Sequence, residues 1–159
     1  MRKTPDPENG KTAGGDGPEM PGHAYVPGLA PRHPDDAFAT VRASVLAGAG
    51  PEALRQSAAW QQGLAWLDAG YYWEAHELFE PVWSALPPNA PERRLVQALI
   101  QIANAGLKLR MGRPRAAARL IVLAQALIAE SGACTRRPVM GLRPTDLEAM
   151  IATLDQAKG

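Results

Sequence analysis

From residue 35 onward, the chain is a succession of segments whose apolar residues recur at helical spacing, and the segments are separated by glycine and proline. In one of them, six apolar residues share a face when residues advance by about 100°: Ala117, Leu120, Ile121, Ala124, Leu127 and Ile128. No segment alternates apolar and polar residues as a half-buried strand does. The pattern predicts an all-α protein, a compact bundle of five to six helices.

Helix limits follow from capping residues, glycine and proline. The predicted helices run from Asp35 to about Gly48, from Pro51 to just before Gly70, from Gly70 to the stretch ALPPNAP, along ERRLVQALIQIANAGLKLRMG to Gly112, and from Pro114 to Ser131–Gly132. A capping box of Thr145 and Glu148 predicts a short last helix. Residues 35–159 are therefore predicted to form a single helical-bundle domain.

Residues 1–34 are dense in glycine, proline and charge and contain little that could be buried. Ordering such a segment costs entropy that few apolar contacts offset. We therefore predict a disordered N-terminal tail, and its lack of an apolar stretch argues against a secretory signal. A single cysteine, Cys134, cannot form an internal disulfide. That usage is typical of a reducing compartment, and we expect a cytoplasmic protein.

Charge and hydropathy narrow the range of partners. The chain has 17 basic and 16 acidic residues and no basic block interleaved with aromatics, so nucleic acid is not an expected partner. Its longest apolar run, LIVLAQALIA, is broken at Gln125 and is shorter than the roughly 20 residues of a membrane span. We expect no membrane association. The apolar excess suggests a homodimer, and the sequence identifies no other partner.

The stretch GYYWEAHELFE places a histidine and several carboxylates among large aromatic residues. At helical rotation, Tyr72, His76, Phe79, Glu80 and Trp83 fall within one third of the helix surface. A helix that only packed would carry aliphatic residues at these positions. The pattern indicates a site.

His76 and Glu80 are one helical turn apart, so their side chains can meet. We predict His76 as a general acid or base that Glu80 orients, with Glu77 beside them. The same two residues are candidate ligands of a divalent metal, although the cofactor stays open. HELFE begins like the zinc peptidase motif H-E-x-x-H but lacks its second histidine. A structural hydrogen bond between the two side chains is the alternative.

The next long segment is apolar nearly all round, which predicts a central helix. Its narrow polar stripe contains Gln97, Gln101, Asn104 and Lys108. We predict that Gln97, Gln101 and Asn104 form a hydrogen-bonded network with His76 and Glu80 and bind substrate. Tyr72 and Trp83 would complete the substrate site. The alternative is a network that only fixes the register of two helices.

The runs GYYWEAHELFEPVW and ERRLVQALIQIANAGLKLRMGRPRAAARLI resemble the domain of unknown function 309 family over about residues 64–129. The resemblance implies a compact all-helical bundle without an established activity. It places the family's recurrent polar residues at Glu74, His76, Glu77, Glu80 and Gln97, with Trp83 beside them.

One position departs from the family pattern. Pro81 stands where a non-proline residue is expected, and in mid-helix it cannot donate a hydrogen bond to the carbonyl of Glu77. The segment YVPGLAPRHPDDAF also resembles the approach found in some members. That resemblance implies that Arg32 and His33 lie near the same region.

A second resemblance points to a different class of function. Gly70, Tyr72, Ala75 and Phe79 follow the spacing of a tetratricopeptide helix, and Gly112 and the residues after it repeat part of that pattern. Tetratricopeptide units generally need three or more copies, and the sequence has no third. The alternative function is therefore a tetratricopeptide-like interaction module in which the polar cluster is purely structural.

Overall fold

The computed structural model describes residues 20–156, and within this range the protein is all-helical. The helices are α1 (Ala39–Arg42), α2 (Pro51–Arg55), α3 (Ala58–Asp68), α4 (Tyr72–Ala85), α5 (Pro91–Arg110), α6 (Pro114–Glu130) and α7 (Pro144–Gln156). Five of them have 11 or more residues, and the described residues contain two isolated β-bridges but no strand. The predicted fold class is confirmed.

Helices α3 to α6 pack each on the next in chain order, and α7 packs on α5. Helix α5 contacts α4, α6 and α7, and its interior face is formed by residues such as Leu95, Leu99 and Ile102. An apolar surface on most sides requires neighbours on most sides, which is why this helix lies at the centre. Within residues 20–156, no helix combines the length and the apolarity that crossing a membrane requires.

Two glycines bring α4 close to its neighbours. A Cβ atom at Gly63 of α3 would lie 2.6 Å from Cε1 of Phe79, and one at Gly106 of α5 would overlap the ring of Tyr72. The aromatic side chains of α4 therefore occupy the space that a side chain at either glycine would fill. Tyr72 is 7% exposed and belongs to the core.

The first predicted helices are shorter than their sequence pattern suggested. Helix α1 covers only Ala39–Arg42, and the chain then turns so that Ser44 Oγ accepts a hydrogen bond of 3.0 Å from the amide of Ala59. The predicted helix from Pro51 to Gly70 is divided into α2 and α3. Ser57 caps α3 by accepting a hydrogen bond from the amide of Trp60.

The N-terminal segment differs from the prediction over residues 20–34. Residues 1–19 lie outside the described part of the chain, but residues 20–34 lie against α4. The rings of Tyr25 and Trp73 meet edge to face with centroids 5.2 Å apart, and Val26 is 8% exposed. A composition rich in glycine and proline did not identify this segment as ordered because its contacts come from a distant helix.

Later helix ends agree with their signals. Gly112 and Gly132, which follow α5 and α6, have φ near +72°, a conformation that glycine adopts without steric cost. At the start of α7, the carboxylate of Asp146 accepts a hydrogen bond from the amide of Arg143. The hydrogen bonds that would define the predicted capping box of Thr145 and Glu148 do not form among the described residues.

Candidate functional site

Helix α4 presents a histidine and two carboxylates together on its outer side. His76, Glu77 and Glu80, called here the His76 cluster, place one donor atom each within 4.8 Å of one another. His76 Nδ1 lies 3.7 Å from Glu77 Oε1, and the two side chains are 24% and 26% exposed. Glu80 is exposed to solvent. The three side chains are therefore open to a ligand.

Arg42 of α1 binds Glu77 twice. Its guanidinium donates to the backbone carbonyl of Glu77 and lies 3.3 Å from Oε2 of the same residue. Pro81, four residues later, has no N–H for that carbonyl, and α4 continues through the proline to Ala85. Arg42 thus supplies the donor that the helix lacks, and Glu77 Oε2 is held on the side away from His76.

On a different side of α4, Glu74 is completely buried. Its Oε2 accepts a hydrogen bond of 2.8 Å from the amide of Tyr25 and lies 2.7 Å from Nε2 of His33. These three groups are called here the Glu74 clasp. Glu74 Oε1 has no hydrogen-bond partner among residues 20–156. The clasp fastens the N-terminal segment to α4 through a single carboxylate.

A polar cleft of about 290 Å³ separates the clasp from the His76 cluster. Its lining consists of Arg32, His33, Pro34, Asp35, Phe38, Arg42, Trp73 and Glu77. The ring of His33 stacks on that of His23 at 4.3 Å and faces Trp73 at 5.8 Å, so its orientation is fixed from both sides. Glu77 belongs both to the cleft and to the His76 cluster, and it joins the two.

The remaining predicted site residues are distributed over the bundle. Gln97, Gln101 and Asn104 are half-buried on α5, and no hydrogen bond among the described residues joins them to His76 or Glu80. Tyr72 lies in the core against Gly106. Trp83 packs under the guanidinium of Arg93, 3.9 Å from the ring centre, and its Nε1 has no partner within residues 20–156.

Sequence reasoning did not assign a site role to Arg42 and did not pair Glu74 with His33. A signal for Arg42 existed, because Pro81 leaves the carbonyl of Glu77 without its helical donor and so predicts a donor from another element. The resemblance brought His33 to the correct region, but helical periodicity could not identify Glu74 as its partner. Their contact spans 41 positions of the chain.

Fold and site define a small all-helical protein with an accessible imidazole–carboxylate cluster on one helix. Residues 60–120 match the family model described as Domain of unknown function (DUF309), and this segment is a DUF309 domain. The matched segment contains α4, α5 and most of α3, and with them His76, Glu77 and Glu80. No curated protein and no solved structure matches the chain.

Proposed function

We propose that the protein binds a divalent metal ion through His76, Glu77 and Glu80 and uses the ion in a hydrolytic reaction on a small polar molecule. The observation that carries the proposal is the convergence of one imidazole nitrogen and two carboxylate oxygens within 4.8 Å. Imidazole together with carboxylate is a donor set that suits zinc, manganese, iron and nickel.

Binding an ion between these three donors requires movement of side chains only. Around a tetrahedral ion with bonds of about 2.0–2.2 Å, neighbouring ligand atoms lie about 3.3–3.6 Å apart. His76 Nδ1 and Glu77 Oε1, at 3.7 Å, are already close to that separation. Glu80 is exposed and can rotate toward the other two donors without disturbing the core.

Three protein ligands leave at least one coordination position for water, which distinguishes catalytic from structural zinc sites. A bound ion supplies a nucleophile at neutral pH by acidifying that water. His76 would then be a ligand, which replaces the acid–base role expected of it from sequence. Gln97, Gln101 and Asn104 stay predicted contacts of the substrate.

The polar cleft supports a small substrate beside the ion. Glu77 directs Oε1 toward His76 and Oε2 toward Arg42, so an ion bound to the first oxygen adjoins the cleft. The cleft offers two guanidinium groups, from Arg32 and Arg42, and an aromatic wall from Phe38 and Trp73. A volume of about 290 Å³ suits a small molecule.

Calorimetric titration with zinc, manganese and nickel, after treatment with a chelator, tests the metal site. We expect saturable binding of one ion per chain, lost in His76→Ala and strongly weakened in Glu80→Gln. Glu148→Gln, a change of an exposed carboxylate on α7, is the matched control and should bind as the unmodified chain does. Equal binding by His76→Ala and the unmodified chain would refute the site.

Hydrolysis is tested separately on the metal-loaded protein with p-nitrophenyl acetate and p-nitrophenyl phosphate. The proposal expects release of nitrophenol that depends on the ion and disappears in His76→Ala. If the protein binds the ion but hydrolyses neither ester, the proposed metal site stands. Hydrolysis of these two ester classes then loses its support.

A tetratricopeptide-like interaction module is the second candidate function. The sequential packing of α3 on α4 and of α5 on α6 favours it, because helical hairpins of that kind are the repeating unit of such modules. In that case the His76 cluster binds no ion, and the titration above separates the two functions.

A further inference from the structure

Helix α6 lies at the edge of the bundle with one side uncovered. It packs mainly on α5, and its buried residues Ala117, Ile121, Ala124 and Ile128 occupy a single face. The opposite face carries Val122 and Leu123, which are 64% and 52% exposed. The helix therefore has an apolar centre on each side, and residues 20–156 cover only one of them.

The exposed apolar residues on this face of α6 are grouped together and do not stand singly. Single exposed apolar side chains are normal on a protein surface. Here, however, Val122 and Leu123 are flanked by the exposed alanines Ala118 and Ala126. Charges occupy the ends of this face: Arg115 stands near the start of the helix and Glu130 at its end. This set of residues is called here the α6 patch.

The α6 patch is complementary to itself in the antiparallel direction. Arg115 lies seven residues before Val122, and Glu130 lies seven residues after Leu123. A two-fold axis between Val122 and Leu123 would therefore place each Arg115 opposite the Glu130 of a second copy. By the same symmetry Arg119, three residues before Val122, faces the small Ala126, which leaves room for its side chain.

We propose that a second copy of this chain covers the α6 patch, so that two α6 helices pack antiparallel about this axis. In such an isologous interface the same residues serve both subunits. Val122 would contact Leu123 of the second copy, and Leu123 would contact its Val122. The charged ends would form two ion pairs, one at each end of the interface.

Glu130 is already positioned for this contact. Arg94 of α5 lies 3.2 Å from its carboxylate, and the glutamate side chain is still 52% exposed. The carboxylate is therefore fixed within its own chain but open on the outer side, where Arg115 of the second copy would approach. Arg119, also exposed, adds a second positive charge within reach.

The expected dimer is weak. Helix α6 has 17 residues and so is about 25 Å long, and one helix pair of that length covers less than the standard interface of about 1,200–2,000 Å². Dissociation in the micromolar range or above is therefore expected. The association must be measured over a range of concentration.

Sedimentation equilibrium from about 10 to about 500 µM tests the proposal. We expect a monomer–dimer equilibrium that Val122→Glu weakens at least tenfold. Leu46→Glu is the matched control, because Leu46 is an equally exposed apolar residue, 69% accessible, outside α6. A chain that stays monomeric at the highest concentration, or a dimer that tolerates Val122→Glu, would refute the interface and leave the patch to a different protein.

Charge exchange tests the orientation. Arg115→Glu and Glu130→Arg should each weaken the dimer about two- to fivefold, the range of exposed ion pairs. Because Arg94 pairs with Glu130 within the chain, the exchange is made together with Arg94→Glu. The variant Arg94→Glu/Arg115→Glu/Glu130→Arg keeps that internal pair and restores opposite charges only across an antiparallel interface, so its dimer should recover. Failure to recover would refute the antiparallel arrangement. Metal binding by Val122→Glu is expected to be unchanged, which keeps this result independent of the metal site.

Discussion

Helix α4 contributes carboxylates to two histidine–carboxylate groups in opposite environments. In the Glu74 clasp the carboxylate is fully buried and bound by an imidazole and an amide from a distant segment. In the His76 cluster the imidazole and both carboxylates reach solvent. The same residue types therefore serve different purposes: a buried pair holds two parts of the chain together, whereas an accessible group can bind something from outside.

The Glu74 clasp must be satisfied internally. A buried charge without partners costs several kcal/mol, so the carboxylate makes its contacts within the chain. The His76 cluster has no such requirement, because water solvates its donors until a ligand replaces it. This difference predicts which histidine stabilises the protein and which is free for function.

The largest effect is expected from removing His33. His33→Ala leaves the buried Glu74 with only the amide of Tyr25, and we expect a loss of about 3 kcal/mol in the free energy of unfolding. For a chain of this size, each kcal/mol of lost stability lowers Tm by roughly 2–4 °C. His76→Ala, measured alongside by urea unfolding, should cost less than about 1 kcal/mol because its side chain is partly solvated. Equal losses would show that the two groups do not differ as described.

A smaller effect tests why Arg42 binds Glu77. Arg42→Met should cost about 1 kcal/mol, because it removes the donor of the Glu77 carbonyl. Pro81→Ala restores the helical N–H, so the same arginine substitution should cost clearly less in that background. A double-mutant cycle of unfolding free energies measures the coupling. Arg55→Met, an exposed arginine on α2, is the control and should show no coupling with Pro81.

The smallest expected effect is on the affinity for the metal ion. Arg42 is a cation held by one of the proposed ligand residues, so an ion at the His76 cluster must bind beside it. Arg42→Met/Pro81→Ala removes that charge while the carbonyl keeps a donor, and the zinc dissociation constant should fall by about two- to tenfold. Weaker zinc binding in this variant would mean that Arg42 assists the site and does not compete with the ion.

Helices α5 and α6 show what local sequence signals predict correctly. Their apolar periodicity, the proline at the start of α6 and the glycines after both ends are local signals, and each agrees with the structure. The region before α3 was predicted less well. Helix α1 is far shorter than expected and a capping serine divides the next helix, since a serine inside a helical pattern marks a boundary only when its side chain accepts the capping bond.

The candidate site divides in the same way. Spacing along one helix was enough to bring His76 and Glu80 together, because residues one turn apart on a helix are neighbours whatever surrounds them. Glu77 follows His76 directly in the chain, so the contact between their side chains did not follow from the spacing. The predicted network to Gln97 needed the relative rotation of two helices, which periodicity does not give. Its hydrogen bonds are not among those of residues 20–156, and the substrate role of Gln97 stays a prediction.

The sequence by itself determined an all-helical protein, the central position of α5 and the proximity of His76 and Glu80, since all three follow from residues close together in the chain. Only the tertiary structure decided that residues 20–34 lie on α4, that Glu74 is buried with His33, and that Arg42 replaces the donor lost at Pro81. Those contacts join residues 35 to 49 positions apart. They exist because a buried carboxylate and an unpaired carbonyl each require a partner, and only the folded chain determines which residue is near enough to supply it.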